Sequence, residues 1–173
     1  MRKFIMSFAI GFFIFANIYF ILGIVHKSKD SNAISKNISK FPSFSFITLK
    51  DTSFNSQIIK EGPVLIIKFH PECEHCKYEI SEIVKSNLAN SGVKVLLISS
   101  ADRRSVSKYL NQFNISEISG IIPMLDTAFI FSNLFGKDIV PSNFIYNRKL
   151  ELVKVLYGEY KIEAIMKYFK YCE

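Results

Sequence analysis

The residues of this 173-residue chain best suited to chemistry lie in one short stretch, His70-Pro71-Glu72-Cys73-Glu74-His75-Cys76, where two residues separate two cysteines. A thiol pair so spaced can attack an external disulfide with one sulfur and resolve the mixed disulfide with the other. Placement decides whether the pair is redox-active. Immediately before it, Val64–Phe69 (VLIIKF) is a nearly continuous apolar run with β-branched residues, the pattern of a strand buried on both faces. From Cys76 the apolar positions become Ile80, Ile83, Val84 and Leu88, which is helical spacing. The cysteines therefore fall at a strand-to-helix junction. There Cys73 is predicted at the helix N-terminus, where the positive end of the macrodipole favours a thiolate, with Cys76 one turn inward. On this reading Cys73 is the nucleophile and Cys76 the resolving thiol.

Other elements must hold that junction. Val93–Ser99 (VKVLLIS) reads as a second buried strand, so strand, helix and strand follow within the span of one parallel crossover. Val106, Tyr109, Leu110 and Phe113 line a helix that begins near the cap signal Asp102. Ile121–Leu125 is predicted as a short strand, and Ala128–Phe135 as a short helix closed by Gly136. Asn143–Tyr146 and Glu151–Leu156 alternate around Asn147–Lys149 as a hairpin, and Ile162, Ile165, Met166 and Phe169 share one face of a final helix. Near the start of the soluble part, Phe44–Leu49 is a short extended segment before a polar turn at Asp51–Ser53. The order predicts an α/β fold with a mixed central sheet flanked by helices.

With 49% hydrophobic and 21% charged residues the chain is not intrinsically disordered, and it has room for one ordinary domain plus an appendage. Phe4–Val25 runs 22 residues without a charge and as a helix reaches roughly 33 Å, enough to cross a bilayer. The run is longer than a signal-peptide core and lacks a clear cleavage site after Gly23. The predicted organisation is a signal-anchor transmembrane helix at 1–25, a polar tether at 26–40 and a domain at 41–173. Arg2 and Lys3 before the segment are nearly balanced by Lys27 and Lys29 after it, and a three-residue leader is expected to stay inside, which puts the domain on the extracytoplasmic, periplasmic side. Net charge is +7, but residues 1–30 contribute +3 of it, and the other lysines are scattered among acids, so no nucleic-acid partner is expected.

At the level of motifs the chain resembles the thioredoxin-like superfamily, and within it the membrane-anchored TlpA/ResA-type and redoxin-domain proteins. Three features carry the resemblance: the C-x-x-C after VLIIKF, Asp126 after Ile122-Pro123-Met124-Leu125, and the segment from Phe135 to Asn147. It covers about residues 41–169. It implies a thioredoxin-like fold and a thiol:disulfide oxidoreductase that acts, without a cofactor, on protein thiols and disulfides and is recycled by a redox partner. It further implies that Pro141 is a cis-proline packed beside the disulfide and that the Val140 backbone pairs with an extended substrate segment. Reduction is the direction the resemblance favours. The chain departs from the family pattern in having no Trp before the first cysteine, Lys68 where some thioredoxins carry a buried acid, and no Gly in Asn147-Arg148-Lys149.

Two motif residues are candidates for redox tuning. His75 resembles the histidine of the oxidising DsbA-like C-P-H-C pattern and can stabilise the Cys73 thiolate, whereas Glu74, like Glu72, opposes it. A shift of one pKa unit is about 1.4 kcal/mol, or roughly 30 mV for a two-electron couple, against about 150 mV between thioredoxin and DsbA. Two alternatives share the scaffold. Cys73, Cys76, His75 and His70 offer thiolate and imidazole ligands for copper or zinc, although no second C-x-x-C or spaced His pair completes a tetrahedral set. A thiol peroxidase would carry T-x-x-C, but His70 stands three residues before Cys73. Cys172 is read as an unpaired bystander and His26 as a membrane-flank residue.

Overall fold

A computed structural model describes residues 38–170 except 87, 116 and 117, together with 15 and 19. The chain divides into two compact units, Met1–Lys36 and Asn37–Glu173. The predicted membrane anchor, apart from residues 15 and 19, lies outside the described residues, as do most of the tether and Cys172. Among the described residues no helix is long and apolar enough to cross a membrane.

In the second unit the apolar runs become strands of one mixed sheet. In chain order these are β1 (Ser45–Thr48), β2 (Ser53–Asn55), β3 (Val64–Lys68), β4 (Lys94–Ser99), β5 (Ile121–Leu125), β6 (Ser142–Tyr146) and β7 (Leu152–Tyr157). Their spatial order is β2-β1-β5-β4-β3-β6-β7. The centre, β5-β4-β3, is parallel, and antiparallel pairs extend it on both sides. Four α-helices, α1 (Glu74–Lys85), α2 (Arg103–Asn111), α3 (Phe131–Phe135) and α4 (Ile162–Lys170), and two short 3-10 turns, Ser56–Ile58 and Ala89–Ser91, complete the described elements.

Alternation along the strands sorts the core into two layers. Leu65, Ile67, Val95 and Leu97 face Cys76, Ile80 and Ile83 of α1, Val106 and Leu110 of α2, and Ile165 of α4. Val64, Ile66, Leu96 and Ile98 face Phe131 and Phe135 of α3 together with Phe44, Phe46 and Phe54. Every residue of β3 is buried, as expected of a strand covered on both faces.

Local chemistry sets the boundaries. Asp102 caps α2 by accepting from the Ser105 amide at 3.0 Å, and the Ser105 side chain together with that amide holds its carboxyl below the usual aspartate range. The helix expected from Ala128 begins only at Phe131. Phe129 has φ 54°, and the buried Asp126 carboxylate accepts the amides of Ile130 and Phe131 at 2.9 and 3.0 Å. In the hairpin, Asn147 Oδ1 accepts the amides of Lys149 and Glu151, both at 2.9 Å, and Leu150 takes φ 60°. β2 begins at Ser53, inside the expected turn. The folded unit also reaches back into the stretch read as tether: Ile38 is buried, and its carbonyl accepts from the Tyr146 hydroxyl at 3.2 Å.

Candidate active site

β3 ends on Lys68, and His70 turns the chain into α1. The Cys73 amide donates to the His70 carbonyl at 3.1 Å, and His70 Nδ1 accepts from the Glu72 amide at 3.3 Å. This turn places Cys73 as the N-cap of α1, with Sγ accepting from the Cys76 amide at 3.1 Å. Cys73 and Cys76 are joined as a disulfide, with Cα atoms 5.2 Å apart. Cys73 is partly exposed and Cys76 fully buried. That asymmetry matches the chemical needs of an attacking sulfur and of a resolving sulfur held in reserve.

The Val140–Pro141 peptide bond is cis, as the resemblance implies. Pro141 is buried, and Val140 packs on the same hydrophobic cluster as Cys73 and Cys76. No backbone hydrogen bond among the described residues uses Val140. Glu74 lies exposed in the first turn of α1. His75 is also exposed, and its Nδ1 lies 2.7 Å from Oε2 of Glu159. Among the described residues no group of three or more His, Cys, Asp or Glu side chains is arranged to hold a metal ion.

Beneath the cysteines lies a carboxylate that motif reading passes over. Glu79, one turn beyond Cys76 on the buried face of α1, is 1% exposed. Its Oε1 accepts from Asn143 Nδ2 and its Oε2 from the Tyr160 amide, both at 2.8 Å. Burial pushes its carboxyl up to about 7, against the opposing pull of those two hydrogen bonds. Lys68 occupies the opposite face of the sheet. Its Nζ donates to Ser100 Oγ, lies 3.8 Å from Asp126 and 3.6 Å from Asp138, and sits 4.8 Å from the centre of the Phe131 ring. Desolvation still lowers its ammonium below the usual lysine range.

No protein-family model and no curated protein matches the chain. Solved structures do match its fold. A secreted disulfide oxidoreductase of Mycobacterium tuberculosis, described as homologous to DsbE of E. coli, superposes with TM-score 0.64 at 14% identity, over 77% of this chain and 96% of that one. A thioredoxin-family thiol:disulfide interchange protein from Chlorobium tepidum gives TM-score 0.65 at 21% identity, over 78% and 95%. The fold is thioredoxin-like. A peroxiredoxin-like protein from Aquifex aeolicus also shares it, with TM-score 0.65 at 14% identity over 78% and 86%.

Within this thioredoxin-like fold Cys73 and Cys76 come together in one cluster with Val140, and His75 and Glu74 flank the pair on the exposed side of α1. Glu79, Asn143 and Glu159 were not among the predicted site residues. Glu79 has a readable signal, a carboxylate three residues after Cys76 within the stripe Cys76, Ile80, Ile83. Asn143 is an amide at a position of β6 whose neighbours are all buried. Glu159 has no local signal, since it meets His75 across 84 residues of sequence.

Proposed function

We propose that this protein is a thiol:disulfide oxidoreductase that exchanges disulfides with protein cysteines through Cys73 and Cys76. One observation carries the reading: a partly exposed cysteine caps the N-terminus of α1 and is disulfide-bonded to a buried cysteine one turn inward. In the reducing direction the Cys73 thiolate attacks one sulfur of a substrate disulfide, forming a mixed disulfide and expelling the first substrate thiolate. Cys76 then gives up its proton and attacks Cys73 Sγ, which closes the intramolecular disulfide and releases the second substrate thiolate. The substrate gains two electrons, and a recycling partner must supply two more to reduce the Cys73–Cys76 disulfide again.

Glu79 is the group suited to the proton of Cys76. Its carboxyl titrates near 7 and it lies one turn further along the same buried face. The unpaired Val140 backbone is suited to an extended substrate segment beside Pro141. The charge-free segment at 4–25 supports membrane anchoring with an extracytoplasmic domain, and the secreted M. tuberculosis protein has the same fold. The resemblance supports net reduction. Peroxidase chemistry is disfavoured by His70 in place of the T-x-x-C threonine, and His70 is engaged in the turn that presents Cys73.

Trapping tests the reading. Cys73→Ser is expected to abolish exchange, whereas Cys76→Ser accumulates mixed disulfides through Cys73 that thiol reductants release. Exchange that persists without Cys73, or a Cys76→Ser protein that captures no partner, would overturn it.

A further inference from the structure

The loop between β7 and α4 touches the candidate site at three successive residues. The Gly158 amide donates to the Pro141 carbonyl at 2.9 Å, the Glu159 carboxylate meets His75 Nδ1 at 2.7 Å, and the Tyr160 amide donates to Glu79 at 2.8 Å. Backbone bonds on either side thus fix where the Glu159 side chain can reach. That side chain is 35% exposed and His75 is 76% exposed, so the pair stands at the solvent-facing rim of the site, with His75 two residues after the cysteine that caps α1.

We propose that Glu159 sets the redox potential of the Cys73–Cys76 couple: by pairing with His75 it cancels the imidazolium charge that favours a Cys73 thiolate and holds the couple on the reducing side. At a fixed protonation state of His75 the Glu159 carboxylate adds one negative charge beside the imidazole, Glu72 and Glu74 already add negative charge nearby, and Lys77 is the next cation along α1. Stabilising the thiolate stabilises the reduced protein and raises the potential, so a carboxylate on His75 lowers it. A C-x-H-C motif of oxidising appearance is thereby turned toward reduction by a residue 84 positions away. The inference rests on the thiol:disulfide reading above and names what sets its direction.

The reaction measured is the equilibrium with glutathione, in which the protein disulfide and two GSH give the Cys73 thiolate, the Cys76 thiol, GSSG and one proton. The chain has no Trp, so the reduced fraction is read by acid quench, alkylation and mass, on the full-length protein. Glu159→Gln keeps the side-chain length and the Tyr160 amide. It is expected to shift the equilibrium about three- to tenfold toward reduced protein, roughly 15–30 mV upward, a shift that shrinks as salt is raised. In a His75→Ala background the same substitution is expected to shift it by less than half as much. No shift, or an equal shift in both backgrounds, overturns the proposal while leaving the exchange reading intact. A wild-type protein that never equilibrates with glutathione defeats the exchange reading, and the proposal with it.

Discussion

Asn143 donates its side-chain amide to Glu79 at 2.8 Å, while its own Oδ1 has no partner among the described residues. The two residues form a pair that can serve either protonation state of the carboxyl. With Glu79 ionised, Nδ2 donates to the carboxylate; with Glu79 protonated, rotation of the Asn143 amide lets Oδ1 accept the carboxyl proton. The Tyr160 amide satisfies the other oxygen in both cases.

This arrangement predicts how stability depends on pH. The folded carboxyl titrates near 7 and its ordinary value is 4.5, so the folded state retains a proton that the unfolded chain has lost. The stabilisation is therefore complete below pH 4.5 and declines as pH rises to 7, by about 1.4 kcal/mol per unit for one group. Urea unfolding across pH 4–8 is expected to show that decline in the wild type and not in Glu79→Gln. The variant's amide can donate to the rotated Asn143 while its carbonyl accepts from Tyr160. A wild-type profile flat across this window would contradict the burial-raised carboxyl.

Alkylation of the reduced protein should separate the two sulfurs. Cys73 is partly exposed at a helix N-terminus and Cys76 is fully buried. Iodoacetamide is expected to modify Cys73 about tenfold faster or more, as read by peptide mass after timed quenching. Comparable rates would remove the basis for assigning them different tasks.

Lys68 should matter for stability and not for redox poise. It is buried among Ser100, Asp126 and Asp138 on the sheet face opposite α1. Lys68→Met leaves the buried Asp126 carboxylate without its nearest cation and is expected to cost about 2–3 kcal/mol. Denaturant titration measures that loss. The glutathione equilibrium of the same variant should stay within about twofold of wild type.

Sequence patterns in this chain announce what repeats along it. The doubly buried strands β3 and β4 appear as unbroken apolar runs, and α1, α2 and α4 as helical stripes with Asp102 marking one start. β2 carries only three residues, too few for alternation to register, and α3 is delayed because Asp126 caps amides four and five residues on. The cysteine pair is local and its chemistry is visible at once. The groups proposed to govern it are not: a search for a buried acid on β3 finds Lys68, whereas the buried carboxylate near the pair in sequence is Glu79 of α1, held by β6 and by the loop before α4.

Residues 158–160 stand about half the chain beyond the cysteines whose surroundings they complete. During synthesis both sulfurs emerge long before Gly158, Glu159 and Tyr160 do. A nascent chain that carries the reactive pair without this late-arriving loop lacks its partners for Pro141, His75 and Glu79, so its thiols should trade disulfides under different electrostatic terms from those of the finished protein.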